Sequence, residues 1–177
     1  MNATKQVNAE EIKRYLTELN DELRSMDVKG EICLYGGAVM ALVYKARPNT
    51  DDVDAVFEPV RNVRRAAARV AERNGLPIGW LNNAVEIFLA PHDKRILLDL
   101  SHLKIYIPPP DYLLAMKVLS ARAETMDRND LKVLIRKLDL QSPTEVFAIV
   151  RGYYPNKEIK PEARILIEEL LSERDNS

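Results

Sequence analysis

Cysteine is nearly absent: Cys33 is the only one in 177 residues. That excludes an internal disulfide and a cysteine-based zinc cluster. Its place in the apolar run Ile32–Tyr35 reads as a small buried core residue. Histidine is almost as scarce, and His92 and His102 stand in unrelated contexts that make no metal pair. No apolar run approaches the ~20 residues of a membrane span. The opening residues, MNATKQVNAEEIKR, lack the apolar core of a signal peptide. The expectation is a cytoplasmic protein with no membrane partner. Charge of one sign is lacking too. The net charge is −1, so nothing global calls for a nucleic acid, and any basic surface must be a local patch. Repeats and low-complexity tracts are absent. What is present is an ordinary globular composition, 46% hydrophobic and 30% charged. The length suits one domain, or one domain with a small helical annex.

Asn8 and Glu11 have the spacing of a reciprocal helix cap, and Ile12, Tyr15, Leu16, Leu19, Leu23 and Met26 follow at helical intervals. They predict a helix over 9–26. Glu31–Tyr35 reads as a strand, and Gly36-Gly37 opens a helix to about Lys45. Arg47-Pro48-Asn49 is a loop, because proline moves its predecessor out of the helical region. Asp52–Glu58 is a second strand and Val60–Asn74 a helix that Gly75 closes as a left-handed residue. Pro77, Gly79 and Asn82-Asn83 make an irregular stretch, and Val85–Leu89, Arg95–Leu100 and Leu103–Ile107 read as strands. Pro108-Pro109-Pro110 is the sharpest boundary, since a triple proline continues neither ladder nor helix. It divides an α/β part, 1–107, from a helical part, 108–177. Helices are expected over Asp111–Ala123, Asp127–Leu138, from the Ser142–Glu145 capping box with Pro143 at the first position, and from Pro161 to about Glu173.

The chemistry concentrates in Gly36-Gly37, twelve residues, then Thr50-Asp51-Asp52-Val53-Asp54. Residues two apart in a strand share a face, so Asp52 and Asp54 point together while Val53, Ala55 and Phe57 point the other way. Two adjacent carboxylates repel, and burial without a partner is costly. A divalent cation relieves both, and magnesium takes hard oxygens from one or two carboxylates plus phosphates. The plain alternative is a solvated strand entrance of turn residues. Gly36-Gly37 would offer bare backbone N–H groups to an anion at a helix start, or serve only as a tight turn.

The run LYGGAVMALVYKARPNTDDVDAVFEP, residues 34–58 with a short extension, resembles the signature of the nucleotidyltransferase superfamily of DNA polymerase beta-like fold. The form of Arg47, Thr50, Asp52 and Asp54 is similar to small prokaryotic branches, including AbiEii-type toxins and a stand-alone branch of unassigned function. Leu113-Leu114-Ala115-Met116-Lys117 with Arg122, Asp127, Asp130 and Leu131 resembles a second block of that branch. Met126 departs from it, standing where arginine is frequent. The resemblance implies an α/β (α+β) fold, a small mixed sheet flanked by helices and followed by a helical bundle. It implies a catalytic set of Asp52, Asp54, Lys117 and Asp127. Gly36, Gly37, Thr50 and Lys117 would bind the triphosphate, and Asp52 and Asp54 the Mg2+ (or Mn2+). A third carboxylate would be Asp99 as metal ligand or Asp127 as base, with Asp127 preferred.

The implied activity is transfer of NMP from an NTP to an RNA hydroxyl, a tRNA end among them, or to a protein hydroxyl. A toxin–antitoxin pair, with a cognate antitoxin or toxin protein as partner, is the implied setting. The alternative is a nucleotide-binding or antitoxin-like module that keeps the fold without turnover. Two further features stay open. Arg61, Arg65, Arg69 and Arg73, with Arg64, form a helical stripe that suits an RNA backbone or a solvated face. Trp80-Leu81-Asn82-Asn83 suits either contact with a base or ordinary packing of the indole.

Overall fold

A computed structural model describes residues 5–121 and 125–177. The chain divides into two compact units, one of Met1–Leu89 with Lys94–Pro108, the other of Ala90–Asp93 with Pro109–Ser177. Among the described residues no helix is long and apolar enough to cross a membrane.

The first unit begins with β1 (Val7–Asn8) and α1 (Ala9–Ser25). The predicted cap is present: the Glu11 N–H donates to Asn8, and the Asn8 N–H to the Glu11 carboxylate, each at 2.9 Å. Next come β2 (Gly30–Tyr35), α2 (Gly36–Leu42), β3 (Asn49–Thr50), β4 (Val53–Glu58) and α3 (Val60–Asn74). The unit closes with β5 (Leu81–Asn82), a 3-10 turn over Ala84–Phe88, β6 (Arg95–Asp99) and β7 (Leu103–Ile107). Gly75 takes the left-handed conformation at φ 63° and ends α3 as expected.

The main sheet has five strands in the order β5-β4-β2-β7-β6. It is mixed: β4 runs antiparallel to β2, β7 parallel to β2, β5 parallel to β4 and β6 antiparallel to β7. Val53, Ala55 and Phe57 of β4 are buried beside Ile32 and Leu34 of β2. The alanines of α3, at 66, 67 and 71, are buried as well, and α3 packs on α1 and on the sheet. Small side chains let the helix axis approach closely. The alternate residues of β4, namely Asp54, Val56 and Glu58, keep contact with solvent. Alternation on this one strand therefore sends apolar groups to the core and Asp54 to the other face.

Expectations change at several places in this unit, and Leu81–Asn82, expected to be irregular, is a strand. Val85–Leu89 is no strand; Ile87 and Phe88 are exposed and the chain turns in 3-10 form. A run of five residues, apolar except for Glu86, is too short to carry a period that would separate the two conformations. Asn49, expected at the end of a loop, pairs with Asn8 as Thr50 pairs with Val7. The helix after Gly36-Gly37 stops at Leu42, three residues short of the expected end.

The second unit holds α4 (Pro110–Ser120), α5 (Thr125–Lys137), α6 (Pro143–Tyr153) and α7 (Pro161–Asp175). Each of α4, α6 and α7 starts with proline in its first turn, where no N–H is missed. The Ser142–Glu145 capping box forms. Buried Leu113, Leu114, Val118, Leu131, Leu134, Val146, Val150 and Ile167 make its core. Tyr112 is buried at the centre, its hydroxyl 2.7 Å from that of Tyr154. The short segment Ala90–Asp93 joins this core: the Ala90 N–H donates to the Tyr112 hydroxyl at 3.0 Å, and His92 stacks on the Tyr112 ring.

Candidate functional site

At one end of β4 the register places Asp54 between Tyr35 of β2 and Asn82 of β5. Asp52 lies just ahead of the strand. The Asn82 Nδ2 donates to Asp52 Oδ2 at 3.2 Å, so the side chain opposite Asp54 reaches back to Asp52. Burial of Asp52 pushes its carboxyl above the usual range; the Asn82 amide opposes that, and the neighbouring Asp51 charge adds to it. Asp51 turns elsewhere and accepts from Gln6 at 3.2 Å.

Gly36 and Gly37 follow β2 directly. Gly36 has φ 61°, a left-handed backbone that disfavours any side chain. A Cβ on Gly36 would stand 3.0 Å from Asp54 Oδ2. On Gly37 it would stand 2.5 Å from Thr50 Oγ1 and 2.9 Å from an Arg47 guanidinium nitrogen. The missing side chains thus make room for the protein's own Asp54, Thr50 and Arg47. The sequence offered an anion site at the helix start or a tight turn; the geometry adds a local reason for the glycines. Thr50 is buried, and its hydroxyl donates to the Asp52 carbonyl at 3.2 Å. It braces the turn into β4.

This corner brings Gly36, Gly37, Thr50, Asp52 and Asp54 together, and it adds Arg47 and Asn82. Its donors are hard oxygens, two of them carboxylates, a set that fits magnesium accompanied by phosphate oxygens and not a soft metal. Among the described residues no group of three His, Cys, Asp or Glu side chains gathers as a complete metal cage.

Asp99 is not brought to this corner. It ends β6 opposite Lys104, whose row continues through Glu31 to Glu58. Glu58 lies four residues along β4 from Asp54, and β6 lies three strands from β4. The separation is on the order of 20 Å. As a ligand to an ion held by Asp54, Asp99 is excluded. The sequence carried no register, which is what decides this.

In the helical unit, Lys117 Nζ pairs with Asp127 Oδ1 at 2.8 Å and with Asp130 Oδ2 at 2.9 Å. Asp130 is 0% exposed, Asp127 21% and Lys117 13%. One ammonium between two carboxylates leaves the trio with a net charge of −1. The expected phosphate contact of Lys117 therefore competes with two ion pairs already made. Asp130, named in the second block of the resemblance but given no role there, is the second carboxylate on Lys117. Arg122 lies outside the described residues, as does the side chain of Met126.

The arginine stripe splits. Arg69 donates to Glu22 at 3.2 Å and Arg73 to Glu18 at 3.3 Å, tying α3 to α1. Burial works against the Glu22 charge, yet Arg73 and Arg69 hold its carboxyl below the usual range. Arg64 donates to Asn83 at 2.9 Å. The C-terminal half of the stripe is therefore a clasp between helices. Trp80 is buried, its indole N–H donating to the Ala67 carbonyl at 3.0 Å and its ring edge-on to Tyr15. It is a core residue and no base platform. No protein-family model matches the chain, and neither a curated protein nor a solved structure does.

Proposed function

We propose that this chain is a magnesium-dependent nucleotidyltransferase that moves NMP from an NTP to a hydroxyl of RNA, a tRNA end being the first to test. The observation that carries the reading is the corner where Asp54 lodges against Gly36 while Asn82 holds Asp52 beside it. It joins the glycine pair and the spaced carboxylates, which the sequence resemblance had linked only by spacing. Asp52 and Asp54 would hold the ion. When bound, magnesium supplies charge neutralisation at the triphosphate and at the departing pyrophosphate.

The remaining roles belong to the chain. Arg47, folded over Gly37, is the cation nearest the glycine pair that the geometry identifies. Asp127 is the base by resemblance, and its carboxylate is held in place by Lys117. Lys117 meets a phosphate in this reading only by exchanging one of its two carboxylates for it. A toxin–antitoxin pair, with a cognate protein partner, is the setting that the resemblance supports.

Incubation with each labelled NTP, Mg2+ and total RNA tests the reading. Label on RNA that disappears in Asp54→Asn is the expected result, and label on a protein moves the acceptor to a protein hydroxyl. A second reading, a nucleotide-binding module without turnover, draws on the neutral Asn82 standing in register with Asp54 and bonded to Asp52. NTP binding with no label on any acceptor would favour it and overturn the transferase.

A further inference from the structure

Asn82 lies on the two-residue strand β5, which periodicity does not reveal, and nothing in the motif names it. Its backbone pairs in register with Asp54, and its side chain makes two hydrogen bonds. Nδ2 donates to Asp52 Oδ2 at 3.2 Å, and Oδ1 accepts from the Ala84 N–H at 3.3 Å. The amide orientation follows from these partners. A backbone N–H can only donate and an ionised carboxylate can only accept, so the oxygen faces Ala84 and the nitrogen faces Asp52. Ala84 thereby fixes the amide, and the amide fixes Asp52.

We infer that Asn82 is a positioning residue for the metal centre, holding the Asp52 carboxylate in its ion-binding orientation; this rests on the reading that Asp52 and Asp54 hold the ion. Three acidic residues, Asp51, Asp52 and Asp54, already stand within four positions. A further carboxylate at residue 82 would repel Asp52 and Asp54 whenever no ion is held between them. A neutral donor orients Asp52 without that cost and leaves the outer coordination positions to oxygens that arrive with the substrate. Partners of this kind commonly set metal affinity by about 10–100-fold.

The test uses the full chain and Mn2+ alone, titrated by the loss of its free electron-spin signal, on wild type, Asn82→Ala and Asn82→Asp. Asn82→Ala should weaken Mn2+ binding about 10–100-fold with its melting temperature within about 2 °C of wild type. Asn82→Asp should restore binding, because its carboxylate can ligate the ion directly, while melting lower without metal. In the transfer reaction, Asn82→Ala should raise the Mg2+ concentration for half-maximal rate. Equal Mn2+ affinity in wild type and Asn82→Ala overturns the role of Asn82 alone. Weak binding by both variants with lowered melting temperatures assigns Asn82 to the Ala84 turn and also overturns it. A wild type that takes up no Mn2+ overturns the metal centre itself.

Discussion

A single methyl group on Gly37 would meet Thr50 Oγ1 at 2.5 Å and the Arg47 guanidinium at 2.9 Å. Thr50 is buried and hydrogen-bonded, so it has little room to give. Gly37→Ala should cost about 1–3 kcal/mol of stability, as overpacking does. Gly79→Ala, with nothing within 4 Å of the added carbon, should stay within about 0.5 kcal/mol of wild type. Urea denaturation of the two variants makes the comparison; equal stabilities would show that the corner is slack. Asp52, Asp54 and the glycine pair were legible in the sequence because strand alternation and motif spacing are local. The clamp on Gly37 was not, since it depends on where a loop ten to thirteen residues onward returns. The ion pair of Asp130 was similarly hidden. Its helix position could be read, but its partner Lys117 sits on another helix.

Between elements, legibility follows length. The periodic helices α1 and α3 and the capped start of α6 were readable because each carries several turns of pattern or a cap of fixed spacing. The two-residue strands β1, β3 and β5 carry no period, so their pairing, and with it the placement of Asn82, waits on tertiary structure. Charge on α3 shows the same limit. Arg61, Arg65, Arg69 and Arg73 look uniform along the helix, yet Arg69 and Arg73 meet Glu22 and Glu18 while Arg64 meets Asn83. What separates them is how far α1 extends alongside, which no property of α3 encodes.

At the scale of the whole molecule, the triple proline coincides with the boundary between Pro108 and Pro109, but Ala90–Asp93 belongs with the helices. Tyr153 and Tyr154 make that unit pH-sensitive. Burial raises the Tyr153 phenol to about 12, with its hydrogen bond to Asp111 and the Asp111 charge adding to the shift. Burial, then the hydrogen bond with Tyr112, raises Tyr154 as well. A phenol whose native value is raised keeps its proton where the unfolded chain has lost it. Its stabilisation is complete below the ordinary value of 10.0 and disappears as pH climbs through about 12. Melting temperatures should fall across that window in step with tyrosinate absorbance, and less steeply in Tyr153→Phe. A flat profile, or identical slopes in the two proteins, would contradict the assignment.

The central claim is that Asp52 and Asp54 hold a metal–triphosphate complex, and one titration reaches it directly. Mn2+ is added to wild type and to Asp54→Asn with a non-hydrolysable NTP present, and free Mn2+ is read by its spin signal. The substitution keeps the shape that packs against Gly36 and removes the charge. Wild type should take up Mn2+ and nucleotide together, and Asp54→Asn should weaken this by about 100-fold or more while still folded. Equal uptake by both proteins, or none by wild type, would contradict it.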